Sequence, residues 1–180
     1  MLRLFVALPL PDHIAHAVQT SQGGLEHASW SQRDNLHITL RFVGEVDETV
    51  ASDLDLALGD IRVAPFEVSL KGAGFFGHER PHAAWMGVAE SAPLIHLHKA
   101  CERACRDIGL LPDTRAYTPH VTTCYLKPAA SLAEVMAYQA RHNLFKAGPW
   151  LADRFYLYAS HQNRRGQNHY SIEAEYPLRA

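Results

Sequence analysis

A short pattern of β type occurs twice in this chain of 180 residues, and its repetition constrains the fold more than any other feature. His37-Ile38-Thr39-Leu40 stands inside NLHITLRFVGEV, and His120-Val121-Thr122-Thr123 stands inside YTPHVTTCYL. In a strand, residues i and i+2 share a face, so each copy presents an imidazole and a hydroxyl side by side. Around the first copy Leu36, Ile38, Leu40 and Phe42 alternate with His37, Thr39 and Arg41, which predicts a strand with one apolar and one polar face. The copies fall in opposite halves of the chain, and strand, HxT strand and helix recur in both. An internal duplication about an approximate two-fold axis brings the two motifs face to face.

The remaining pattern alternates short strands with helices. Residues 2–8 read as a strand, and Asp12 is the expected N-cap of a first helix carrying Ile14, Ala17, Val18 and Leu25, with Gly23-Gly24 near its end. Val50, Leu54, Ala57, Leu58 and Ile61 mark a second helix, and residues 65–76 and 83–88 read as strands joined by the loop GHERPH. The stripe Leu94, Leu97, Cys101, Ala104, Cys105 and Ile108 predicts a third helix ending at Gly109 and assigns its two cysteines to core packing. A helix over 132–142, one extended run over 150–160 and a last strand over 169–176 complete the reading. The Arg164-Arg165-Gly166 turn reads as a solvated loop.

With 47% hydrophobic and 20% charged residues the chain can bury a sizeable core, as one compact domain over 1–180 or as two small lobes sharing a cleft. A net charge of −2 argues against attachment to long nucleic acid through a basic field, so a small nucleotide or an RNA end fits better than a duplex. The opening MLRLFVALPLPDHI is broken by Pro9 and Pro11 and is too short for a signal peptide or a membrane span. Three cysteines without a CxxC point to a reducing cytosol and to no disulfide scaffold. His78, His82, His96 and His98 come with no HExxH, Cys/His cluster or DxD pattern, so no metal is expected.

Two imidazoles and two hydroxyls in one cleft supply an acid, a base and two hydrogen-bond donors, the set that metal-free phosphodiester chemistry requires. An imidazole with its ordinary pKa of about 6.5 serves as either acid or base at neutral pH. Around this set, Phe5 reads either as a ring stacking a nucleobase at the cleft edge or as a core phenylalanine. Arg41, on the face of His37 and Thr39, reads either as a phosphate contact or as a solvated arginine. Tyr117 offers a hydroxyl or a stacking face, or is an ordinary strand residue.

The chain resembles the two-histidine (2H) phosphoesterases, and within them the RNA 2′,3′-cyclic phosphodiesterases historically called 2′-5′ RNA ligases. The likeness is carried by RLFVALPLPD, by Trp30 ahead of NLHITLRFVGEV, by RPHAAWMGV, by YTPHVTTCYL, and by the closing FYLYAS and YPL. It implies an α+β, bilobal fold in which two antiparallel sheets surround a central cleft with helices outside. It implies hydrolysis of a terminal 2′,3′-cyclic phosphate to a 2′-phosphate without cofactor, with His37 as proton donor, His120 as proton acceptor, and Thr39 and Thr122 on the phosphate oxygens. The expected partners are RNA ends or nucleoside 2′,3′-cyclic phosphates, for a cytoplasmic monomer with no obligatory protein partner. One departure stands out: where many bacterial relatives carry an arginine after the second motif, this chain has Cys124-Tyr125-Leu126-Lys127, and Lys127 is the candidate for part of that charge. A binding module without catalysis, a metal-dependent hydrolase and a 2H exonuclease trimming RNA 3′ ends are the alternatives.

Overall fold

The computed structural model describes residues 1–162 and 168–180, so the Arg164-Arg165-Gly166 turn lies outside the described residues. Among the described residues nine strands form two antiparallel sheets. The first has the order β3-β1-β8-β9, from β1 (Leu2–Pro9), β3 (His37–Val46), β8 (Arg154–Gln162) and β9 (Asn168–Pro177). The second has the order β2-β6-β5-β4-β7, from β2 (Ala28–Trp30), β4 (Phe66–Phe76), β5 (Ala83–Val88), β6 (His120–Leu126) and β7 (Lys146–Ala152).

Setting aside β2, the two orders correspond in their first two strands. Each begins with an HxT strand paired to the strand preceding it in that half, and each HxT histidine opens its strand. His37 lies opposite Pro9, and His120 lies opposite Gly87. The HxT strands lead into α2 (Glu48–Gly59) and α4 (Leu132–Arg141). The duplication read from the sequence is therefore present in the strand order.

The halves are interleaved. The first helix, α1 (Asp12–Thr20), contacts β7 of the second sheet, while α3 (Ala92–Asp107) contacts β3 of the first. Leu94, Leu97, Cys101, Ala104 and Cys105 are the buried stripe of α3, and Leu36, Ile38 and Leu40 are buried with them in the same core. That packing consumes the apolar face of β3 and leaves His37 and Thr39 half-buried on the other face. All three cysteines are free and buried.

Several local expectations need correction. Pro11, not Asp12, is the N-cap of α1; its extended backbone hands over to Asp12 as the first helical residue. The helix stops at Thr20, so Leu25 lies outside it, beyond the left-handed pair Gly23 and Gly24. The run over 150–160 is two strands in different sheets, because β7 ends at Ala152 and β8 begins at Arg154. The short β2 and a 3₁₀ turn at Arg33–Asn35 carry no periodicity of their own and were not expected.

A further difference matters most for the site. In β3 the pairing with β1 jumps from Arg41 to Thr39, leaving Leu40 without a partner. In β6 the pairing with β5 jumps from Cys124 to Thr122, leaving Thr123 without one. These are β-bulges at the same place, three residues after each histidine, and each reverses the alternation beyond it. Arg41 and Cys124 turn inward and are buried, whereas Phe42 and Tyr125 turn outward. The alternation expected through Phe42 therefore fails at Leu40.

Candidate active site

Both imidazoles are anchored in the same way. The Nδ1 of His37 lies 2.7 Å from the Asn35 carbonyl oxygen, and that of His120 lies 2.6 Å from the Thr118 carbonyl oxygen. A carbonyl only accepts, so each ring carries its hydrogen on Nδ1 and leaves Nε2 for the cleft. Upstream, the Asn35 side chain donates to the Asn168 carbonyl of β9 at 2.9 Å, fixing the turn that delivers His37.

Aromatic rings wall both histidines. Phe5 lies 4.8 Å from the His37 ring, stacks on Tyr158 at 5.1 Å and meets Tyr170 edge-on at 4.9 Å. Being 4% exposed, Phe5 has no face free for a nucleobase, so it positions His37 instead. His120 is bounded by Phe76 at 4.9 Å and Trp85 at 5.8 Å. Trp85 fits because its partner across the β4–β5 ladder is Gly74: a Cβ there would sit 2.2 Å from the indole. Gly74→Ala is expected to displace Trp85, destabilising the protein by about 1–3 kcal/mol and lowering turnover, as urea unfolding and initial rates would measure. An unchanged unfolding midpoint with full activity contradicts that packing.

Burial sets the electrostatics. It pushes the His37 pKa down to about 4, partly opposed by the hydrogen bond to Asn35, and the charge of His120 adds a smaller downward push. Burial also lowers the His120 pKa, against its bond to Thr118.

Thr39 and Thr122 are half-buried beside the histidines, while Thr123 is buried and donates to the Ala84 carbonyl at 3.0 Å. Two cavities meet here. One of about 380 Å³ is lined by His37, Thr122 and Tyr125, and the other, of about 620 Å³, by His120, Thr39 and Phe42; Thr122 and Tyr125 border both.

Arg41 also borders the larger cavity, but its guanidinium is engaged within the protein. Its Nε meets Glu102 Oε2 of α3 at 2.5 Å without hydrogen-bond alignment, and its terminal nitrogens donate to the carbonyls of Phe42 and Leu111. The phosphate contact expected of Arg41 gives way to a role in holding α3 and the 111–117 loop against β3. Arg115, in the same cavity, is paired with Asp113 at 2.7 Å, which holds that carboxyl down to about 2.

Tyr117 donates its hydroxyl to the Thr39 carbonyl at 3.0 Å and stacks on His98 at 3.7 Å, while His98 binds the Leu40 carbonyl through Nδ1 at 2.7 Å. Tyr117 thus ties the approach to the second motif onto the backbone of the first. Lys127 is misplaced for the role expected of it. It is exposed beyond the end of β6, about 20 Å of strand from His120, in a turn where its N–H donates to His27 and its carbonyl accepts from Ala130. Among the described residues no three His, Cys, Asp or Glu side chains gather as a metal site requires, and no helix is long and apolar enough to cross a membrane.

The family model of the 2′-5′ RNA ligase superfamily matches residues 10–164. The chain belongs to that superfamily. Among similar proteins, an RNA 2′,3′-cyclic phosphodiesterase of Aeropyrum pernix is 39% identical over 55% of the chain, and one of Geobacillus stearothermophilus is 33% identical over 66%. The aligned stretches span 57% and 40% of those relatives, about half their length. The crystal structure of E. coli LigT complexed with 3′-AMP superposes with a TM-score of 0.76 and 28% identity over 98% of both chains. Superfamily membership and fold thus agree with the resemblance carried by the two HxT motifs.

Proposed function

We propose that the cleft opens 2′,3′-cyclic phosphates on RNA ends or nucleosides, giving a 2′-phosphomonoester by acid and base catalysis without a cofactor. Two imidazoles presenting Nε2 from opposite sheets carry this reading. Water enters phosphorus opposite the leaving ribose oxygen, so one proton must be removed and another delivered on opposite sides. His120 takes the proton from water through Nε2, and His37 gives one to the departing 3′ oxygen. Thr39 and Thr122 donate to the non-bridging oxygens as phosphorus becomes five-coordinate. Run backward with a 5′-hydroxyl in place of water, the same positions form a 2′-5′ linkage. The names of the A. pernix and G. stearothermophilus relatives and the 3′-AMP bound by LigT support the choice of substrate. We read the protein as a cytoplasmic monomer whose functional unit is the whole chain, since each sheet supplies one histidine.

The anion itself completes the protonation state. In the free protein burial keeps both imidazoles largely neutral at pH 7, and a phosphate between them favours the charged ring. The base must be unprotonated and the acid protonated, so lowered pKa values move both limbs to lower pH. The profile of kcat/KM is expected to be a bell centred below about 6.5, with the kcat profile displaced upward from it. A kcat/KM maximum above pH 8 contradicts this.

Turnover of a short RNA with a 2′,3′-cyclic end, in a strong chelator, tests the activity. A 2′-phosphate product is expected. Tight binding without turnover makes the protein a binding module, loss of activity in chelator makes it a metal-dependent hydrolase, and stepwise shortening of the RNA makes it an exonuclease.

A further inference from the structure

The two HxT strands belong to different sheets, so no ladder of backbone hydrogen bonds fixes the distance between them. The two bulges are also held differently. In the second motif the carbonyl of Thr123 accepts the Ser31 N–H at 2.9 Å and the Gln22 side-chain amide at 3.3 Å, and its hydroxyl donates to Ala84 of the neighbouring β5 at 3.0 Å. The first motif is held from outside its own sheet. Its strand β3 is an edge strand, and the consecutive carbonyls of Thr39 and Leu40 accept from the Tyr117 hydroxyl at 3.0 Å and from His98 Nδ1 at 2.7 Å. The rings of these two donors lie face to face, with centroids 3.7 Å apart and planes 3° from parallel, so each fixes the orientation of the other. Among the described residues the Tyr117 hydrogen bond is the one that joins β3 to the segment 117–126. Burial raises the pKa of the Tyr117 phenol, so it remains a donor across the neutral range.

We propose that His98 and Tyr117 are positioning residues, a stacked clamp that sets the distance between the Thr39 hydroxyl of one sheet and the His120 imidazole of the other. The inference rests on the phosphodiesterase reading, in which both groups must meet one phosphate. Thr39, His98, Tyr117 and His120 all line the larger cavity. Tyr117 stands three residues before His120 and grips the carbonyl of Thr39 itself, so the backbone carrying the base and the backbone carrying the phosphate donor are joined through one phenol. Thr39 donates to oxygens whose charge grows as phosphorus becomes five-coordinate. A misplaced hydroxyl therefore costs more in the transition state than in the bound substrate. Neither member of the clamp handles a proton of the reaction.

The test is a double-mutant cycle of Tyr117→Phe with Thr39→Val on adenosine 2′,3′-cyclic phosphate. Tyr117→Phe keeps the stack on His98 and loses only the hydrogen bond, and it is expected to lower kcat about tenfold while raising KM less than about threefold. In the Thr39→Val background no hydroxyl is left to position, so the same change is expected to alter kcat less than about twofold. His98→Ala, which removes the platform under Tyr117, is expected to lower kcat in the same way. Circular dichroism and the urea midpoint verify that each variant is folded. Independent, multiplying effects of Tyr117→Phe and Thr39→Val, or a natural kcat in Tyr117→Phe or His98→Ala, overturn the clamp while leaving the hydrolase intact. If the natural protein hydrolyses no cyclic nucleotide, the phosphodiesterase reading fails instead, and the Kd of adenosine 2′-phosphate across the same cycle decides the clamp. A rise of about threefold on Tyr117→Phe that vanishes in the Thr39→Val background supports it, and no rise or equal rises in both backgrounds overturn it.

Discussion

Replacing either imidazole, as His37→Ala or His120→Ala, lowers kcat on a 2′,3′-cyclic phosphate end by about 10²–10⁴. Each ring handles a different proton of the same step, so removing one leaves the other without a complementary partner. The double variant is therefore expected to be little slower than the poorer single variant, as with groups that act as a unit. Folding survives these changes, because both histidines are half-buried at the cleft and neither belongs to the hydrophobic core. Initial rates together with urea midpoints separate the two effects. A single variant within about threefold of the natural protein means that its ring handles no proton in the step.

Glu102→Ala is expected to be the most destabilising of the polar changes, by about 3–5 kcal/mol in equilibrium urea unfolding. Its carboxylate faces Arg41, which is 7% exposed, and accepts the Asp113 backbone N–H at 3.2 Å. Removing it leaves a buried guanidinium without its counter-charge and releases the loop leading to Tyr117. The hydroxyl of Tyr117 holds the Thr39 carbonyl, so the loss reaches the cleft, and kcat falls in the folded fraction as well. A cost below about 1 kcal/mol contradicts the role assigned to the pair.

The HxT motifs, the strands that hold them and the amphipathic stripes of α2 and α3 are legible in the sequence because each depends on local periodicity. The failures have a common cause in contacts made far along the chain. Alternation alone carries Arg41 onto the polar face and Phe42 onto the apolar one, but the pairing with β1 inserts a bulge at Leu40 and exchanges them. The corresponding bulge at Thr123 makes Tyr125, rather than Lys127, the residue after the second motif that reaches the cleft. Phe5 does share the face of His37, yet its burial is set by Tyr158 and Tyr170, which arrive from β8 and β9. Phe76 and Trp85 read from the sequence as ordinary strand residues. Gly74 signals the place of Trp85, because it makes room for the indole, but only once β4 is paired with β5. The single-residue passage at Asp153 between sheets has no signature beyond an acidic residue in an otherwise extended run.

Nitrogen NMR of the two imidazoles, in the free protein and with a nucleoside 2′-phosphate bound, tests the protonation states assigned to the acid and the base most directly. At pH 7 both free rings should be neutral with hydrogen on Nδ1, and on binding one of them should take up a second proton at Nε2. Hydrogen on Nε2 in either free ring, or two rings whose shifts ignore the bound phosphate, contradicts the account.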